Sequence, residues 1–110
     1  MGLPEPKVID LVNDGEYQPL LGGAPVTCGM RSGRPVIAPG ADCGEHSTKE
    51  HEEVLVVLSG AGKARLGNGT ELSIRGGQIV YIPPRTEHNI VNTGQEPLSY
   101  VYVVAPVAGL

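Results

Sequence analysis

The chain reads His46-Ser47-Thr48-Lys49-Glu50-His51-Glu52-Glu53-Val54-Leu55-Val56-Val57-Leu58-Ser59-Gly60 through its middle. This stretch decides the fold. It falls in the one window longer than about ten residues, Glu45 to Ser59, that lacks both Gly and Pro, so an extended helix has room only here. Ser47-Thr48-Lys49-Glu50 even matches a helix capping box. A helix continued through Val54 to Leu58, however, puts five adjacent apolar residues on every side of its axis and leaves no stripe to bury. Length and the three Val favour a strand, fully buried, that Gly60 ends.

Short apolar runs bounded by turn signals continue in both directions from this strand. Downstream, Lys63 to Leu66 and Glu71 to Ile74 bracket Gly67-Asn68-Gly69-Thr70, and Asn-Gly between such runs predicts a hairpin. Gly76-Gly77 leads into Gln78 to Ile82, which Pro83-Pro84 stops; His88 to Asn92 and Leu98 to Ala105 follow. Upstream, Val8 to Val12 reads as a first strand, and Val26 to Met30 and Pro35 to Ala38 flank Arg31-Ser32-Gly33 as a second hairpin. Nine or ten short strands in one small domain make a β-sandwich or barrel. Composition agrees: 110 residues allow one domain, 16 Gly and 10 Pro exclude an all-helical fold, and 29 Val, Ile and Leu exclude disorder. With no Phe or Trp, the interior consists of branched aliphatics and some of the four Tyr, which leaves space for a pocket.

A net charge of −4 with eight scattered basic residues gives no footprint for nucleic acid. No run approaches the roughly twenty apolar residues of a membrane span, and the first residues lack the regions of a signal peptide. The expectation is a cytoplasmic protein in which Cys28 and Cys43 are reduced thiols. Cys43, three residues before His46, is an alternative metal ligand or redox switch that the spacing alone does not support.

All three histidines share their segments with carboxylates. His46, His51, Glu52 and Glu53 fall within eight residues, and His88 stands beside Glu87 at the start of a later strand. Two such segments converging on one interior would make an imidazole and carboxylate shell for a transition metal. Strand parity puts His51 and Glu53 on one face and His88 and Asn92 on another, while His46 needs a loop or bulge to join them. Glu52 and Glu87 read as solvated strand charges, and Arg85 as a rim residue able to attract an anion. Tyr100 and Tyr102 share one face of the last strand and Val101 and Val103 the other, so this strand is covered inside by the barrel and outside by a partner.

The spacing carries a resemblance. Gly40, five residues, His46, Ser47, Thr48, four residues, Glu53, six residues and Gly60 resemble the first motif of the cupin superfamily at every landmark but its second His, which is Thr48 here. Gly77, five residues, Pro83, Pro84, Arg85, two residues, His88, three residues and Asn92 resemble its second motif, with Arg85 in place of Gly. The resemblance implies an all-β double-stranded β-helix, or jelly roll, with an N-terminal arm and first strand over residues 1–24 and a cupin barrel over 25–110. It further implies a divalent metal (iron, manganese, nickel or zinc) held by His46, Glu53 and His88, with His51 as a fourth candidate that could replace the missing His. A small-molecule ligand and a homodimer are implied as well, with no nucleic acid or membrane partner. The implied activities are metal-dependent oxygenation, isomerisation or decarboxylation of a small polar molecule, and no catalytic acid or base beyond the ligands is identified. Thr48 supports an alternative from another class: a metal-free barrel that binds or senses a small ligand.

Overall fold

The structure, a computed structural model of the chain, describes residues 2–110. It contains ten strands, and no helix among the described residues: β1 (Gln18–Gly22), β2 (Arg31–Arg34), β3 (Val36–Ile37), β4 (His46–Ser47), β5 (His51–Ser59), β6 (Ala61–Leu66), β7 (Glu71–Arg75), β8 (Ile79–Ile82), β9 (Glu87–Val91) and β10 (Leu98–Pro106). No helix is therefore long and apolar enough to cross a membrane. One sheet runs β1-β2-β10-β5-β8, with β3 also paired to β10; the other runs β4-β9-β6-β7. Every pairing is antiparallel, and β10 lies between β2 and β5 although they are far apart in sequence, which gives the jelly-roll crossover. The helix that the capping box could have started does not form.

The decisive strand β5 alternates rather than being buried throughout. Its inner face carries His51, Glu53, Leu55 and Val57, while Val56 is 38% and Leu58 42% exposed on the outer face. An unbroken apolar run hides this period because both faces are apolar. Leu55 and Val57 pack with Ile37, Ala64, Ile74 and Leu98 in one core, each large side chain contributing about 1.5–3 kcal/mol by leaving water. Asn92 closes this end of the barrel. It is buried, its Nδ2 donates to the carbonyls of Ile37 and Glu96, both at 2.8 Å, and its Oδ1 accepts the Gly94 amide at 2.9 Å. A buried amide with its hydrogen bonds made stabilises where an unpaired one would cost about 1–3 kcal/mol.

Two expected strands near the N-terminus are absent. Val8 to Val12 is an extended, exposed segment with Val8 94% accessible. The Gln18 side chain supplies what a neighbouring strand would: its Oε1 accepts the Val12 amide at 2.8 Å and its Nε2 donates to the Asp10 carbonyl at 2.9 Å. Val26 to Met30 is not a strand either, because the turn lies there and Arg31-Ser32-Gly33 is itself β2. Ser32 is held in the sheet by its hydroxyl, which donates to the Tyr102 carbonyl at 2.5 Å. Asn68-Gly69 turns the β6–β7 hairpin as its sequence requires. Both cysteines are free thiols.

Candidate metal centre

The packed core fills one end of the barrel, and a cavity of about 320 Å³ opens at the other. Three side chains meet in it. β4 is only two residues long, but it pairs with β9 so that His46 stands directly opposite His88. Their rings pack edge to face with centroids 4.2 Å apart and planes at 61°. Glu53 reaches them from the inner face of β5 in the facing sheet. The ligand atoms of His46, Glu53 and His88 all lie within 4.8 Å of one another, with His88 and Glu53 buried and His46 exposed toward solvent.

Backbone carbonyls orient both rings. His46 Nδ1 lies 2.9 Å from the Gly44 carbonyl and His88 Nδ1 lies 2.9 Å from the Thr86 carbonyl. A carbonyl only accepts, so each Nδ1 carries a hydrogen and each Nε2 is the atom left for a ligand. His88 Nε2 then faces the Glu53 carboxylate at 3.0 Å. A neutral His88 would put two bare acceptors in contact, which repel unless a proton or a metal cation lies between them. In the chain alone that cation is a proton. Burial works against the charged ring, but the hydrogen bonds to Glu53 and Thr86 and the charges of Glu53 and Glu87 outweigh it, so the His88 pKa is raised.

Two imidazoles and a carboxylate converging on one point fit a divalent transition metal, which would take the place of that proton. The other expected ligands stand apart from this cluster. His51 lies on the same inner face two residues before Glu53 and lines the same cavity, but it is not one of the three clustered donors. Cys43 also lines the cavity without joining them.

The hydroxyl of Thr48 is engaged elsewhere. It donates to the Pro83 carbonyl at 2.7 Å and accepts the Thr86 amide at 3.1 Å, which ties the β4–β5 turn to the β8–β9 loop. Thr86 is the residue whose carbonyl orients His88, so Thr48 acts on the site through its scaffold. Arg85 does not stand at this cavity. It takes the left-handed backbone conformation of the glycine it replaces, at φ 55°, and lines a separate groove with Leu72 and Tyr81. Glu52 points outward and accepts the Tyr81 hydroxyl at 2.9 Å.

Three polar residues of the cavity wall carry no signal of that position in the sequence: Arg31 stands in an apparent turn, and Tyr100 and Tyr102 read as packing residues of the last strand. The Tyr100 hydroxyl is driven far above its ordinary pKa by burial and by the neighbouring Cys43 and Glu53, so it remains protonated.

A family model described as Cupin domain matches residues 34–104. A curated glucose-6-phosphate isomerase from Pyrococcus abyssi is 37% identical over 68 residues, which cover 58% of this chain and 36% of that protein. The chain therefore spans about a third of the length of this relative. A solved structure from Bacillus halodurans matches with a TM-score of 0.80 at 23% identity, covering 97% of this chain and 86% of that one. An RmlC-like cupin family protein with a double-stranded β-helix fold, from Methanocaldococcus jannaschii, matches at 0.77 with 22% identity, covering 96% and 94%.

Proposed function

The chain belongs to the cupin domain family, and from that membership we propose that it is a metal-dependent enzyme acting on a small polar molecule. Its His46, Glu53 and His88 would hold one divalent transition ion of the iron, manganese, nickel and zinc group. The observation that carries this reading is the 3.0 Å approach of His88 Nε2 to the Glu53 carboxylate while Nδ1 is committed to a carbonyl. A ring nitrogen and a carboxylate so placed match a cation shared between them.

A divalent ion bound there supplies Lewis-acid polarisation of a substrate oxygen. The chain's own part is to hold and orient. Gly44 and Thr86 fix the ring tautomers, Leu55 and Ile90 give the cavity an apolar wall, and Tyr100 offers a proton that it does not lose. Identity with the glucose-6-phosphate isomerase favours isomerisation over oxygenation or decarboxylation. The free thiols Cys28 and Cys43 suit a cytoplasmic, reducing compartment. We also propose a homodimer, supported by the apolar outer face of β5, β8 and β10.

Elemental analysis of untagged protein tests the metal reading. About one divalent ion per chain is expected, lost on His88→Ala and on Glu53→Gln. Protein that takes up no iron, manganese, nickel or zinc on reconstitution would sink the enzyme reading and leave a metal-free ligand-binding barrel in its place.

A further inference from the structure

Arg31 lies on the inner face of the larger sheet. Its register partner on β10 is Val104, and Val104 is in turn the partner of Glu53 on β5. Side chains directly opposite one another in antiparallel strands share a face, so Arg31, Val104 and Glu53 form one row across the cavity wall. Neighbouring strands are about 4.8 Å apart, which separates the Arg31 and Glu53 backbones by roughly 10 Å. An arginine side chain covers a large part of such a gap. Its guanidinium also comes close enough to Tyr102 to oppose the rise in that phenol's pKa, which burial and the Tyr17 hydroxyl push up to about 12.

Among the described residues that line the cavity, Arg31 is the one permanent cation, and it forms no ion pair within the chain. Arg31 is itself exposed; Arg34 and Arg65 are paired with carboxylates, and Arg75 and Arg85, which like Arg31 have no ion pair among the described residues, do not line this cavity. On the adjoining wall Tyr100 lines the cavity, its hydroxyl beside the Cys43 thiol with which it hydrogen-bonds, and burial keeps that hydroxyl protonated as a donor. A divalent ion on the three clustered donors, with Arg31 and a single wall carboxylate in Glu53, leaves the cavity with an excess of positive charge.

We propose that Arg31 is the anion anchor of the cavity: the ligand is a small molecule with one carboxylate or phosphate group on the Arg31 guanidinium and a second oxygen directed to Tyr100 and the His46, Glu53 and His88 cluster. The guanidinium fork suits both kinds of anion. The gap of the row sets the size, since only a few carbon atoms fit between the anchor and the donors. The inference deepens the metal-enzyme reading and rests on it for the placement of the second oxygen.

Calorimetric titration tests it, using malonate, glycerol 3-phosphate and uncharged glycerol as probes on the full chain, with metal content measured on each sample. At least one anion binds and glycerol does not. Binding of malonate alone identifies a carboxylate ligand, binding of glycerol 3-phosphate alone a phosphate, and binding of both the shared anion chemistry. Arg31→Gln weakens anion binding about 10- to 100-fold at unchanged metal content, Arg31→Lys recovers part of the loss, and Tyr100→Phe weakens binding severalfold. Absence of anion binding, equal binding of glycerol, or an Arg31→Gln variant that binds like the parent chain overturns the proposal. Metal content separates the two readings: Arg31-dependent anion binding to metal-free protein removes the enzyme reading and keeps the anchor, whereas metal retained with no dependence on Arg31 does the reverse.

Discussion

Thr48 donates its hydroxyl proton to the Pro83 carbonyl and accepts the Thr86 amide, and Thr86 in turn holds the His88 ring. Thr48→Val keeps the shape of the side chain and removes both bonds. It is expected to cost about 1–3 kcal/mol in urea unfolding and to weaken metal binding about tenfold through His88. Thr48→Ser should recover most of both, and a Thr48→Val protein with parental stability and metal affinity would contradict this scaffold role. His46, Glu53 and His88 were legible in the sequence because they stand at fixed distances from Gly40, Gly60, Pro83 and Asn92. Arg31 and Tyr100 were not, since their position in the cavity depends on the register of β2 and β5 against β10, and that register is set by pairing between segments distant in the chain. Thr48 looked like a lost ligand for the same reason, because both of its partners lie more than thirty residues away.

Among the elements, the glycines that bound the strands differ in what they require. Gly60, between β5 and β6, has φ +87°, and a Cβ there would collide with the Pro97 carbonyl oxygen and come within 2.8 Å of Leu98 Cα. Gly77, before β8, has φ +90° but open space around it. Gly77→Ala should therefore cost only the left-handed penalty of about 1–2 kcal/mol, while Gly60→Ala also forces backbone apart and should cost at least about 3 kcal/mol. Thermal melts of the two variants compare them directly, and equal losses would show that the Gly60 contact relaxes freely. The strands from β5 onward were readable in sequence because apolar runs and turn residues agree there. Before residue 31 they conflict: Val8 to Val12 has a strand's composition but no sheet edge beside it, and β1 begins Gln18-Pro19, which carries little strand signal. β4 is too short to have a period at all.

For the whole molecule, the outer face of the larger sheet presents Val54, Val56, Val101, Val103, Ile79 and Tyr81 on three adjoining strands, with Val56 opposite both Val101 and Ile79. Ile79 is 72% and Tyr81 57% exposed. Contiguous apolar surface of this kind marks an interaction site, so light scattering coupled to size exclusion should give a dimer, and Val56→Asp with Ile79→Asp should give a folded monomer. A parent chain that is monomeric at micromolar concentration would remove the expected partner. Dimerisation by this face leaves the cavity free, because the residues concerned point away from it. The cavity itself is sealed by Asn92 and the packed core at its far end, so traffic passes by way of the mouth where His46 meets solvent. An ion held on the three donors and an anion anchored at Arg31 would therefore share one doorway, and a bound ligand is expected to act as a stopper that slows the loss of the ion to a chelator.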